Sequence, residues 1–506
     1  MVYNFVSEYI KKNVYPFHIP GHKGNPAFFP KDIFSFDITE IPGADNLHAP
    51  TGVIAELEKF IAKLYGADDS VFSVNGGSAG VLAALLHVSS FGSPSFGRVI
   101  IARNSHRSAY HAVIMAAARH SFAMPQQTEY GFSGSVTPQE VERAILANRY
   151  ATAVFITSPT YEGVVSDIRG ISAVTRKYGK LLIVDEAHGS HFVFSDFFPD
   201  SAVKCGADIV INSLQKTLPV LGQCAVVHIN ERDEEQEEAA GDAPIEFPEE
   251  RSKERFRRFM SFVQTSSPSY MLMAQADYAL KKLCDEPVWF TEYAKNLAKF
   301  REDAKKFKNI RLFDGGKGVF ALDKSKLVFC FSNAPNAEKL LAENGVQIEM
   351  SGLNYLVAVT SPADTKDGFD RLFAALIELD KIASPPERFN GVLTEPLPEP
   401  VRYREMKTAF LAERELVPIE RAVGRVSGDF ITPYPPGVPI AAPSEYISER
   451  VVSRTLRLVE LGVTVNGLTA DNRVSVVKKL LPHDVEDIND MDDYLKCGGR
   501  CNEAGR

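Results

Sequence analysis

The sequence predicts an α/β protein: an open, mostly parallel sheet with helices on both faces, followed by a smaller α+β domain and a C-terminal extension. Three observations predict it. Between about residues 70 and 230 short apolar runs alternate with longer segments of helical period. Several of the runs are apolar on both sides, as strands sandwiched between helix layers must be. The spacing between runs leaves room for a crossover helix.

Residues 1–50 form an N-terminal arm, and 51–280 a large domain. Within it VFSV (71–74), RVIIA (98–102), TAVFIT (152–157), KLLIVD (180–185), ADIVIN (207–212) and CAVVHI (224–229) read as strands. The charged segment 231–255 reads as a solvated insertion before a helix. Residues 281–385 form the small domain, with NIRLF, KLVFCF and YLVAVT as strands and EKLLAENG as a helix stopped by glycine. The stretch 383–402 is rich in proline and charge and marks a linker. An extension over 386–483 reads as helix-rich, interrupted by TPYPPGVP (432–439), whose prolines favour an extended turn. The acidic tail, 484–506, is expected to be disordered.

A 506-residue chain with 45% hydrophobic and 24% charged residues has the balance of a soluble globular protein of several domains. Its 65 acidic and 56 basic residues leave a net charge of −9, which offers no field for nucleic acid. No run has the length of a signal peptide core or a membrane span, so a cytoplasmic protein without membrane or nucleic-acid partners is expected. The six cysteines are scattered apart from Cys497 and Cys501. That pair lacks a matching histidine or second cysteine pair, so neither a disulfide framework nor a metal site is expected.

In sheets of this kind ligands bind beyond the carboxyl ends of the strands, where the sequence places NGGS, RNSH, SPTYEG, DEAHGSH and SLQKT. Asp185 ends one strand. A carboxylate there suits a metal ligand, a general base or the partner of a protonated heterocycle. Thirty-one residues later, one βαβ unit on, Lys216 follows the next strand. Alone, a lysine at a strand end is a surface residue. Paired with Asp185 at this spacing, it suits a ring with its aldehyde carbon on the lysine and its nitrogen on the carboxylate, which is pyridoxal 5′-phosphate (PLP). Asn75-Gly76-Gly77-Ser78 opens a helix and offers N–H groups and a hydroxyl to a phosphate. His106 ends another strand, where an imidazole can stack on the ring.

The segments FHIPGHKG (17–24), DITEIPGADNLHAPTGVI (37–54), NGGSAG, RNSHRS, SPTYEGVVSDI, VDEAHGSHF, SLQKTLPVLGQCAVVHI, QTSSPSYMLM (264–273) and PYPPGVPI (433–440) together resemble the PLP-dependent ornithine/lysine/arginine decarboxylases. The likeness runs over most of residues 15–450 and is to the short form, without an N-terminal wing domain. It implies a PLP-dependent transferase-like fold of the aspartate-aminotransferase type, and decarboxylation of arginine, lysine or ornithine to agmatine, cadaverine or putrescine. By this likeness Lys216 forms the Schiff base, Asp185 pairs with the pyridine nitrogen and His106 stacks on the ring. Ala187 and His188 lie beside the ring, while Gly77, Ser78 and Ser213 hold the phosphate. Ser266 would reach a neighbouring subunit's phosphate, which implies at least a homodimer.

Two positions depart from the family pattern: Gln215 stands where histidine usually precedes the lysine, and Arg107 where lysine usually follows the stacking histidine. Gln cannot titrate, so a proton-transfer role is not expected of residue 215. Asp45, Glu349 and Glu445 are the acidic candidates for the substrate's distal charge, with arginine favoured over lysine as substrate. The competing readings are an aminotransferase or lyase of the same fold, and a decarboxylase-like regulatory protein without activity.

Overall fold

The computed structural model describes residues 15–18, 21–23, 25–28, 38–41, 44–90, 97–231, 253–334, 336–352, 354–386, 399–434 and 437–479. The tail 484–506, Cys497, Cys501, most of the charged insertion and the middle of the linker lie outside these residues.

The arm contributes β1 (Tyr15–Phe17), and the large domain β2 (Asp69–Ser73), β3 (Arg98–Ala102), β4 (Arg119–Ala123), β5 (Ala153–Thr157), β6 (Val164–Val165), β7 (Leu181–Asp185), β8 (Ile209–Asn212) and β9 (Ala225–Ile229). Seven of these form one sheet in the order β2-β9-β8-β7-β5-β3-β4. Strand β9 runs antiparallel to both β2 and β8, and the remaining pairs are parallel. The six strands expected from apolar runs are all present. Strand β4 was not expected, because its sequence, RHSFA, is half polar. It is an edge strand in which His120 and Phe122 turn inward and Arg119 outward.

Neighbouring residues of one strand serve opposite faces. Val99 and Ile101 pack with the helices Gly76–Ser89 and Arg107–Ala116, whereas Ile100 packs with Pro138–Ala147 and Ile168–Lys177. Each such fully buried side chain contributes about 1.5–3 kcal/mol. At Gly80 the helix Gly76–Ser89 lies so close to the sheet that a β-carbon would sit 2.7 Å from Val227 Cγ2.

The small domain holds a four-stranded antiparallel sheet formed by Arg311–Leu312, Lys326–Cys330, Tyr355–Val359 and Met350–Ser351, with the helix Lys366–Ile382 among its own. Strand β1 pairs in parallel with Val346–Ile348 of this domain. The arm also meets the large domain, where the Gly21 N–H donates to the Gln215 carbonyl at 2.7 Å.

The extension corrects the expectation of a helix-rich segment. The helices Met406–Leu411 and Glu449–Glu460 alternate with antiparallel pairs, Arg414–Pro418 with Arg473–Val477 and Thr432–Tyr434 with Thr464–Asn466. The reason is local: RELVP and RVSVV carry the alternating, β-branched pattern of half-buried strands. The extended conformation expected of TPY is present, and Pro435 and Pro436 lie outside the described residues. No described helix is long and apolar enough to cross a membrane.

Candidate active site

The ends of β5, β7 and β8 lie at one edge of the sheet, since Thr157 stands opposite Asp185 and Asp185 opposite Ile211. A cavity of about 1490 Å³ opens there, lined among others by Gly77, Ser78, His106, Asp185, Ala187, His188, Ser213 and Lys216. Eight of the nine site residues named from the sequence therefore meet in one space. The ninth, Ser266, is exposed on the loop before the helix Tyr270–Asp285 and does not line this chain's cavity. That loop is tied to the glycine turn, for the Thr265 N–H donates to Asn75 Oδ1 at 3.3 Å.

Asp185 is buried, and its Oδ1 accepts the Ala187 N–H at 3.1 Å. Burial raises its pKa, against the pull of the Lys216 charge and of that hydrogen bond. A carboxyl in this setting is held ionised by a cation beside it. Lys216 Nζ lies 3.0 Å from His188 Nε2. Burial lowers the Lys216 pKa, with Asp185 and Glu349 opposing. Burial also drives the His188 pKa well down, helped by the charges of Lys216 and Lys326, so the imidazole is neutral. Its Nδ1 is buried without a hydrogen-bond partner among the described residues. The Tyr161 ring packs on it with centroids 4.7 Å apart.

The turn that opens the helix Gly76–Ser89 forms because Gly76 adopts φ 75°, a left-handed conformation that glycine takes without strain. Its N–H donates to the Gln223 carbonyl at 2.8 Å. A β-carbon on Gly77 would lie 3.5 Å from Ser213 Cβ, so the helix start and Ser213 face each other across the turn. His106 caps the helix Arg107–Ala116, its Nδ1 2.8 Å from Ser108 Oγ, and its ring is exposed to the cavity.

These residues fit PLP. The cavity is lined by an amine kept toward its neutral form and by a buried carboxylate that calls for a cation. A helix N-terminus with two hydroxyls suits the phosphate.

Two of the three acidic candidates are engaged elsewhere, which corrects their reading. Asp45 accepts backbone N–H groups of Asn46, Thr51, Gly52 and Ile54 at 2.8–2.9 Å and anchors the start of the helix Val53–Tyr65. Glu445 is buried in an ion pair with Arg103 at 3.1 Å, joining the extension to the end of β3. Glu349 lines the cavity and accepts the Tyr161 hydroxyl. Sequence reasoning passed over Tyr161, Glu162 and Gln223. The first two sit in the quoted SPTYEG motif just past a strand end, a position that could have flagged them. Gln223, at φ 74°, had no signal.

Two family models match the chain: Orn/Lys/Arg decarboxylase, major domain, over residues 2–338, and Orn/Lys/Arg decarboxylase, C-terminal domain, over 393–464. The arginine decarboxylase of Bacillus subtilis (strain 168) is 30% identical over 485 residues, which cover 92% of this chain and 95% of that protein. The lysine decarboxylase LdcA of Pseudomonas aeruginosa is 23% identical over 568 aligned positions, covering 87% of this chain and 73% of that protein. Among solved structures, the lysine decarboxylase of Francisella novicida shares the fold with a TM-score of 0.72 at 18% identity, over 90% of this chain and 78% of that one.

Proposed function

The chain belongs to the Orn/Lys/Arg decarboxylase family and is an amino acid decarboxylase, and from that premise we propose that it uses PLP to decarboxylate a basic amino acid, arginine before lysine. The observation that carries this reading is the convergence of Lys216, neutral His188 and buried Asp185 on one cavity. The preference for arginine rests on the higher identity to a protein named arginine decarboxylase than to one named lysine decarboxylase.

Lys216 would bear the cofactor's aldehyde carbon, Asp185 would face its ring nitrogen, and His106 would cover one ring face. The Gly76–Ser78 turn and Ser213 would hold the phosphate. When bound, PLP supplies a sink for the electron pair left on Cα as CO2 departs. Asp185 sets the charge at the far end of that sink, because a buried carboxylate favours a protonated partner. Once the substrate's amine has displaced it from the cofactor, the Lys216 Nζ would hold the proton which that amine gives up, and burial, which lowers its pKa, would ready it to release the proton again. The same Nζ, once protonated, returns a proton to Cα. His188 Nε2, 3.0 Å behind it, orients the amine, and its own low basicity argues against it as the acid. Glu349 is the remaining candidate for the distal cation.

The decisive experiment is Lys216→Ala. The variant should lose both the visible absorbance of the bound cofactor and all turnover. Release of CO2 at the wild-type rate would overturn the assignment. Assays with arginine, lysine and ornithine, following CO2 and amine, rank the substrates. The same reading makes the protein at least a homodimer with Ser266 serving the neighbouring site, which light scattering of wild type and cofactor titration of Ser266→Ala test together.

A further inference from the structure

Behind His188, on the side away from the cavity, lies a group of buried charges that the reaction does not use. Lys326, the first residue of its strand, and Asp323 are both 0% exposed and pair at 3.0 Å. The Lys326 ammonium also donates to Ser325 Oγ at 3.1 Å and to the His188 carbonyl at 3.2 Å. Asp323 Oδ1 meets His191 Nε2 at 3.1 Å and accepts the Ser325 N–H at 2.9 Å. Burial alone would raise the Asp323 carboxyl, but Lys326 and His191 hold it far below the usual range. The Asp323 N–H donates to the Gly163 carbonyl at 2.8 Å, two residues beyond the Tyr161 ring that packs on His188.

Such a pair is a costly way to fill a core. Desolvation of each ion costs several kcal/mol, and apolar replacements of similar volume are often as stable. What an apolar pair cannot do is hold a peptide carbonyl in place. The carbonyl held here belongs to the residue whose imidazole meets the Lys216 amine, so the ion pair and the reacting atom are separated by a single residue.

We propose that Lys326, with Asp323 as counter-ion, is a positioning residue for the decarboxylation: it fixes the His188 peptide, and through it the imidazole against Lys216. The inference rests on Lys216 being the cofactor-bearing lysine. The charged and titratable groups acting on His188 are Lys216, Lys326, Asp323 and His106, with Tyr161 on its face; Asp185 and Glu349 act on Lys216. The charge on Lys326 also lowers the pKa of Lys216.

The test is the neutral pair Asp323→Asn with Lys326→Met, which leaves no unpaired buried charge. We expect it to fold and to bind PLP, with kcat reduced about tenfold or more and KM changed less than about twofold, as for a misplaced catalytic group. The pH midpoint for recombination of apoprotein with PLP, read from absorbance rather than activity, should move away from that of wild type, because the imidazole beside Lys216 is displaced while the two opposite charges leave together. Lys326→Arg should keep most of the kcat. In a His188→Ala background the pair variant should cause no further loss. A folded pair variant with wild-type kcat and midpoint overturns the proposal, as does a loss that persists in full without His188. Where the pair variant does not fold, Ser325→Ala removes one ligand of Nζ without changing charge. A severalfold loss of kcat at unchanged melting temperature then supports the proposal, and wild-type kcat overturns it. A wild-type protein that takes up no PLP instead overturns the cofactor reading, and is told apart because it fails before any variant is made.

Discussion

Replacing Glu445 by Gln separates an anchor from a substrate contact. Glu445 Oε2 pairs with Arg103 at 3.1 Å and accepts the Ala442 N–H at 3.0 Å, with side-chain exposures of 2% for the glutamate and 8% for the arginine. Gln keeps the size and one acceptor oxygen, but its NH2 takes the place of Oε1, a buried atom without a partner among the described residues. Removing one charge of a buried pair costs about 3–5 kcal/mol. Arg103 retains the Tyr110 hydroxyl at 2.7 Å and the Ile440 carbonyl at 3.0 Å, which puts this case at the lower end, about 3 kcal/mol. For a domain of 150–250 residues that corresponds to a fall in Tm of roughly 6–12 °C. The assay is thermal unfolding by near-UV circular dichroism beside steady-state kinetics below both transitions. KM for the basic amino acid should stay within about twofold, whereas Glu349→Gln should raise it about tenfold or more, the value of one charged hydrogen bond. A Glu445→Gln protein that melts like wild type while its KM rises would place Glu445 on the substrate and refute the anchoring role.

Asp185→Asn retains the acceptor for the Ala187 N–H but not the charge, so cofactor titration should show near-normal binding while kcat falls roughly 10- to 100-fold. Burial pushes the Glu186 carboxyl up to about 8, despite hydrogen bonds from the Ala202 N–H and the Asn212 side chain. The folded state then keeps a proton that the unfolded state has lost, so the stability from this group is complete below about pH 4.5 and fades as pH rises through about 8. Glu186→Gln should flatten that part of the stability curve, measured by urea unfolding at a series of pH values. Gly80→Val should destabilise the large domain by about 1–3 kcal/mol or more through overpacking against Val227, read as a lowered urea midpoint.

The sequence showed most clearly what depends on the sheet. Runs such as RVIIA and KLLIVD are apolar on both faces, and the loops after them had to converge, so the meeting of Asp185, Lys216, His106 and the glycine turn was legible in the sequence alone. Features that depend on a partner far along the chain were not. Asp45 and Glu445 were plausible substrate ligands as acidic residues in family-like motifs. Their capture by backbone N–H groups 1–9 residues away, and by Arg103 342 residues away, carries no local pattern. The extension was misread for a related reason: its strands are five residues or fewer, and their pairing joins residues about 30–60 positions apart. In KLVFCF, Lys326 reads as no more than the start of a strand, because nothing in that run says that its ammonium points inward.

Gln215, the position least like the family pattern, has a mechanical place in the fold. Its side-chain oxygen accepts the Gln223 N–H, and its carbonyl accepts the Gly21 N–H. Gln223 sits at φ 74°, a left-handed conformation that costs a non-glycine residue about 1–3 kcal/mol, so it must be held by its surroundings. One holder is Gln215, and the other is the Gly76 N–H on the Gln223 carbonyl. A chain of hydrogen bonds thus runs from the arm, through the residue before Lys216, to the glycine turn that opens the helix Gly76–Ser89. A side chain that cannot titrate serves this purpose as well as one that can, because what the turn requires is an acceptor at a fixed point. Glutamine at 215 therefore leaves the geometry around Lys216 supported.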